Sequence, residues 1–328
     1  MQKSFKLKVY LGLVVAFVLC GCKSKVQEVN RPAFNADSAY QYTVDQMAFG
    51  PRVPNSQAHT QCALYLIEQL RRFGCDVELQ KGLMPDYTGR PQAIFNVIGH
   101  FAGNTGAKKV LLCAHYDTRP WCDQEEDYDL KHLNVPGAND GATGVAVLLE
   151  VARQLQILSR DTTLKLRPMD IVFFDVEDMG TPTTYTGFER ENTWCLGSQY
   201  WAKELPDEQV NDYVYGILLD MVGAPDAVFP KEMNSTRFAE NYVEKIWREA
   251  HKLGYGKYFA EQPAYPIVDD HYYVSVYGGI PCVDIIHYDA RTSSGFPSWW
   301  HTRQDDMRNV HPATLQAVGE VVLATILN

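Results

Sequence analysis

Two acids stand side by side where an apolar run ends: DIVFFDVED, residues 170–178, closes on Glu177 and Asp178. Charge at the end of a buried run is costly unless something pairs with it. Neighbours on a strand point to opposite faces, so two adjacent acids would not normally share a task. The same placement recurs along the chain. His115 and Asp117 follow VLLCA, Asp140 follows GAN, and Asp220 ends YGILLD. Asp269, Asp270 and His271 stand together in IVDDHYY, and His301 lies in SWWHT. Singly, each has an ordinary explanation as a helix cap, a turn former or a packed side chain. Together they read as a metal site. Imidazole and carboxylate donors without thiolates suit zinc. A catalytic zinc keeps three protein ligands and an open position, which leaves a further carboxylate free to move protons.

The elements that must position these residues alternate. Two helices come first, one starting near Asn35 or Asp37 and one running from Ser56 to Gly74. CDVELQ and AIFNVIGH read as strands. Four further apolar runs, VLLCAHYD, DIVFFDVED, YGILLDMVGA and GIPCVDIIHYD, each lead through a loop to a helix. The closing helix is HPATLQAVGEVVLATILN. Continuous apolar strands alternating with helices predict an α/β sandwich around a largely parallel sheet. In open sheets of this kind ligands bind beyond the carboxyl ends of the strands, where the acids and histidines fall. No fixed-period repeat or low-complexity linker divides the chain, so one domain is expected.

Of 328 residues, 46% are apolar and 21% charged, which suits a sizeable core. A net charge of −10 argues against a nucleic-acid partner. At the N-terminus Lys3, Lys6 and Lys8 precede LGLVVAFVL and then CGC, a charged region, a short apolar run and a small residue before a cysteine. The run is short for a membrane span. It resembles a bacterial lipoprotein signal covering residues 1–21, with lipid on Cys22 and a tether over 22–34. That implies an exported lipoprotein at the periplasmic face of a membrane. The six cysteines beyond it show no C-x-x-C spacing, so a cysteine zinc site is not expected.

The ordered set HYD, GANDGA, DVED, LLDMVGA, DDH and WHT resembles the M28 metallopeptidase family. Within that family it is most similar to the zinc-dependent glutaminyl cyclases of the animal type and their bacterial lipoprotein relatives. The resemblance covers residues 35–328. It implies a single-domain three-layer α/β/α sandwich whose central sheet is mixed and largely parallel. It also implies that Glu177 is the general acid and base, and that Asp140, Asp178 and His301 hold one zinc. Asp220 and Asp269 would assist proton movement, and Trp300, with Trp299 or Trp194, would wall the substrate pocket. Many relatives carry Glu-Glu where this chain has Glu177-Asp178, so a shorter ligand must sit closer to the metal. The implied activity turns the N-terminal glutamine of peptides into pyroglutamate and releases ammonia. The two-zinc aminopeptidases of the same family are the alternative, with His115 and Asp220 as further ligands. A noncatalytic, metal-bearing peptide binder is a third reading, against which the complete Glu177, Asp220 and Asp269 set argues. Trp300 beside His301, the Asp269 that precedes Asp270-His271, and LLDMVGA favour the cyclase.

Overall fold

The computed structural model describes residues 33–188 and 190–328. The signal segment, Cys22 and the tether through residue 32 lie outside the described residues. Helix α1 (Ala36–Met47) starts where Asn35 accepts the Ser38 N–H, and α2 (Gln57–Arg72) where Ser56 accepts that of His59. Strands β1 (Asp76–Pro85), β2 (Pro91–Phe101) and β3 (Lys109–His115) follow, then α3 (Thr143–Leu158) and β4 (Met169–Phe174). The chain continues through α4 (Leu196–Glu204), α5 (Asp207–Val210), β5 (Tyr213–Asp220), β6 (Phe229–Glu232) and α6 (Met233–Lys252). It closes with β7 (Phe259–Ala264), α7 (Asp270–Val276), β8 (Cys282–Ile286) and α8 (Pro312–Leu327).

The six-stranded sheet has the order β1-β2-β4-β3-β5-β8. The β1–β2 hairpin and the β2–β4 pair are antiparallel, while β4, β3, β5 and β8 run parallel. The expected mixed, largely parallel sheet is therefore present. Alternation along the buried strands splits the core in two. Val110, Leu112 and Ala114 of β3, with Met169, Ile171 and Phe173 of β4, join the larger cluster under α1, α2, α3, α6 and α8. Leu111, Cys113, Val172 and Phe174 pack on the other face against Trp201 of α4 and Val274 of α7. Helices on both faces make the three layers, and the four parallel strands deliver their carboxyl ends to one edge.

Three features depart from the sequence expectation. The parallel pair β6–β7 forms a separate two-stranded sheet, built from FPKE and FAEQPA, which carry no continuous apolar run. The DDHYY stretch opens the short helix α7, with Asp269 as its N-cap. Helix α6 begins at Met233, ahead of FAENYVEKIWREAHKLG, which reads as the helix in sequence, because the Glu232 carboxylate accepts the Asn234 and Ser235 N–H groups. All six described cysteines are free and buried. Among the described residues no helix is long and apolar enough to cross a membrane.

Candidate metal centre and active site

Asp140 reaches the sheet edge on a loop that is held from two sides. The fully buried Arg52 donates to the carbonyls of Pro136, 2.9 Å, and Gly137, 2.6 Å. Asp305 accepts the Asn139 N–H at 2.8 Å and the Asp140 N–H at 3.1 Å. Gly141 next to it has φ +94°, and a Cβ there would meet the Asp117 carbonyl oxygen at 2.4 Å. Only glycine fits.

Beyond β4 the alternation of a strand is broken. Val176 adopts φ +54°, a left-handed conformation that is an outlier for a β-branched residue. Asp117 then takes the backbone N–H of Glu177 on one carboxylate oxygen, 3.0 Å, and that of Asp178 on the other, 3.2 Å. The two adjacent acids are thereby turned toward one cavity. Asp175, one residue earlier, anchors the turn through His59 at 2.6 Å and the Phe95 N–H at 2.7 Å. Left-handed backbone also occurs at Cys195, at Met221 just after Asp220, and at His301 itself. Such backbone costs energy that the surrounding packing must offset, and it gathers at functional sites.

Three candidate ligands converge. His301 Nε2 lies 2.9 Å from Asp178 Oδ1 and 3.4 Å from Asp140 Oδ2. Donors bound at about 2.0–2.1 Å around a tetrahedral ion stand about 3.3 Å apart, so this spacing suits zinc. Asp178 Oδ2 is buried without a hydrogen-bond partner, as an atom waiting for a cation would be. His115 Nε2 is 3.0 Å from the other Asp140 oxygen and 3.2 Å from Asp220 Oδ1. His115, as buried as His301, is absent from the cavity lining, yet its ring also offers a donor within 4.8 Å of those of Asp140 and Asp178.

A second layer holds the ligands. Arg119, almost fully buried, pairs with both oxygens of Asp123 at 2.9 and 2.6 Å and donates to the Asp178 carbonyl at 2.9 Å. Its guanidinium lies 4.4 Å from the Trp194 ring centroid. Asp123 in turn faces His301 Nδ1 at 3.9 Å. That separation is too long for a hydrogen bond, so Asp123 acts on the imidazole through its charge, and His301 Nδ1 has no hydrogen-bond partner.

The cavity over these groups has a volume of about 250 Å³. Asp140, Asp178 and His301 line it together with Glu177, Asp220 and Asp269, and Trp194, Trp300 and Phe296 contribute apolar wall. Trp300 stacks on His301 with centroids 3.7 Å apart, and Trp194 lies parallel to the same ring at 6.0 Å. Gly180 is required beside Trp194, because a Cβ there would fall 1.9 Å from the indole. Trp299 corrects an expectation. It is packed in the main core beside His287 and takes no part in the wall. Asp270 and His271 are likewise buried inside α7, with His271 Nε2 3.1 Å from Glu232, and do not line the cavity.

Burial raises the proton affinity of the acids on the cavity floor. It lifts Glu177 well above the usual carboxylate range, with the Asp178 charge adding to the effect. It moves Asp220 to about 7 and Asp269 to about 6, with Asp140 a further cause in both. Carboxyls that change charge near neutral pH are suited to carrying protons. Sequence reasoning missed the roles of Arg52, Arg119, Asp123, Asp305 and Phe296. The one local signal was Arg119 and Asp123, four residues apart in a loop.

Known proteins share this fold and much of the sequence. The chain resembles the glutaminyl cyclase of Tannerella forsythia at 46% identity, with TM-score 0.84 over 90% of this chain and 99% of that one. It resembles equally a zinc-dependent exopeptidase from Parabacteroides distasonis, 45% identical, TM-score 0.85, over 90% and 99%. The glutaminyl-peptide cyclotransferase of Bos taurus is 23% identical over 84% of this chain and 78% of its own length. The profile of Peptidase family M28 matches residues 96–326, a span that contains every cavity-floor acid and His301. On that match, and on the strand-end site that the fold builds, the chain belongs to peptidase family M28.

Proposed function

We propose that this chain is a zinc-dependent glutaminyl-peptide cyclotransferase, which converts the N-terminal glutamine of peptides and proteins to pyroglutamate and releases ammonia. One observation carries the reading. Asp140, Asp178 and His301 line a tryptophan-walled cavity together with Glu177, Asp220 and Asp269, and Trp300 stacks on His301 at 3.7 Å, while His115 is not part of that lining.

Zinc held by Asp140, Asp178 and His301, one ion per chain, would supply Lewis acidity at the glutamine γ-carbonyl. The substrate brings its own nucleophile. Its α-amine, with an ordinary pKa of about 7.7–8.0, is partly neutral near neutral pH. As that nitrogen bonds to the carbonyl carbon of the side-chain amide, Cδ, and closes a five-membered ring, Glu177 takes its proton. As the amide Cδ–Nε bond breaks, Glu177 delivers the proton to the departing ammonia. Asp220 and Asp269 stand on the same cavity floor and share the proton load. Trp194, Trp300 and Phe296 hold the side chain against the floor and exclude water, which would otherwise hydrolyse the amide. The resemblance to the Tannerella forsythia enzyme supports this reading.

A two-metal aminopeptidase is the second reading, favoured by the approach of His115 to Asp140 and Asp220 at 3.0 and 3.2 Å. A Gln-initiated and a Leu-initiated peptide separate the two. The cyclase releases ammonia from the first and leaves the second intact. Release of free glutamine or leucine without ammonia would replace it with the peptidase. We propose further that Cys22 carries lipid and holds the enzyme at the periplasmic face of a membrane, where exported peptides meet it. The LCGC stretch supports that placement.

A further inference from the structure

Cys195 precedes α4 and is fully buried, yet it touches the acid at the centre of the chemistry. Its Sγ lies 3.2 Å from Glu177 Oε1. Its backbone N–H donates to the Glu177 carbonyl at 2.8 Å, and the next N–H, of Leu196, donates to Val176 at 3.0 Å. The segment 195–196 therefore clamps the left-handed turn at 176–177. No other hydrogen bond to the Glu177 carboxylate occurs among the described residues, and His115 Nδ1 stands 3.9 Å from Oε2.

The backbone at Cys195 makes this contact informative. It is left-handed, φ +55° and ψ 39°, a conformation that costs an L-residue energy and glycine almost none. Glycine would adopt this backbone more cheaply, and what the cysteine side chain adds is the contact to Glu177 that glycine lacks. A thiol is a weak donor. Burial and the adjacent Glu177 charge raise its proton affinity well above that of a free thiol, so it remains a donor.

We propose that Cys195 is a positioning residue for Glu177, its thiol fixing the rotamer in which the carboxylate faces the cavity. The inference rests on the proposed role of Glu177 in the cyclase reaction. It differs from the roles of Asp140, Asp178 and His301, because it acts on the proton carrier and leaves the ligands untouched.

Cys195→Ala and Cys195→Ser test it in the full zinc-loaded chain. Cys195→Ala should lower kcat for ammonia release about tenfold, the rate equivalent of about 1.4 kcal/mol, with KM and bound zinc unchanged. Cys195→Ser keeps a donor and should recover most of the rate. A structural role would instead lower thermal stability in both variants and leave kcat of the folded fraction intact, which overturns the proposal. Equal kcat loss in both variants also overturns it. An independent readout needs no turnover. The infrared S–H band assigned by the difference between wild type and Cys195→Ser should move when Glu177→Gln removes the carboxylate charge, and a stationary band overturns the contact. Failure of the cyclase reading is distinguishable, because the wild type would then release no ammonia while the S–H band still responds.

Discussion

Asp117 accepts the backbone N–H of Glu177 at 3.0 Å, and no strand hydrogen bond could replace that contact at the left-handed turn. Its second oxygen takes Asp178. One buried carboxylate thus sets the angle between proton carrier and ligand. Asp117→Asn substitutes a donor for one acceptor and sets an amide NH₂ against a backbone N–H. Partners behind a ligand typically contribute about 10–100-fold in metal affinity, so a loss of that order is expected. Competition with a chelator measures it, and unchanged affinity would show that Asp117 does not orient Asp178.

The adjacent acids divide the labour. Glu177→Gln keeps the shape and removes the proton carrier, so zinc should remain while ammonia release falls by about 10²–10⁴-fold. Asp178→Asn weakens a ligand, so zinc should be lost or loosened. Bound metal and ammonia release measured on both variants separate the roles. Metal loss in Glu177→Gln, with metal and activity retained in Asp178→Asn, would reverse the assignment.

His115 discriminates one metal from two. With a single ion on Asp140, Asp178 and His301, His115→Ala should leave one zinc bound per chain, because this imidazole then only supports Asp140 and Asp220, at 3.0 and 3.2 Å, and supplies no ligand. Anomalous scattering at the zinc edge counts the ions in both proteins. Two peaks in the wild type and one in the variant would establish the aminopeptidase arrangement.

The fold was legible because the parallel strands are largely apolar runs, despite the buried Asp170 of β4 and Asp284 of β8, that end at or just before an acid or histidine, and because Asn35 and Ser56 are local helix signals. Asp220 closes β5, and Glu177 and Asp178 follow β4, so these were legible for the same reason, whereas Asp140, Asp269 and His301 lie in loops or at a helix cap and were legible through GANDGA, DDH and WHT. What stayed hidden depends on contacts far apart in sequence. Arg52 serves the loop of Asp140 across 84 and 85 residues, and Asp305 caps the same loop from 165 residues away. Trp299 and Trp300 are indistinguishable as sequence. The left-handed backbone at His301 accompanies the divergence of these neighbours, one into the core and one over the imidazole. The pair β6–β7 was missed because its short strands have neither an apolar run nor clean alternation.

The proposed anchor is tested independently of the fold. Cys22→Ser removes the thiol that would receive lipid, so the variant should remain an unprocessed precursor without incorporated lipid. Metabolic labelling with a tagged fatty acid reads this directly. Undiminished labelling of the variant would end the lipoprotein reading.

His287, which is not one of the candidate metal ligands, supplies a pH dependence of its own. It is 3% exposed and lies beside Trp299, and its Nδ1 has no hydrogen-bond partner. Burial drives its pKa down from the ordinary value of about 6.5 to about 4. The folded state therefore binds this proton less readily than the unfolded chain. Its contribution to stability is complete above about pH 6.5 and is lost as pH falls toward and through about 4. At pH 4 the loss relative to pH 7 is about 3 kcal/mol. His287→Gln cannot acquire that charge. Its stability relative to wild type should improve by about this amount between pH 7 and 4, whatever packing penalty it carries at pH 7. Denaturant unfolding of both metal-free proteins at the two pH values cancels the titration they share. A stability difference that stays constant across that range would mean that His287 titrates alike in the folded and unfolded chain.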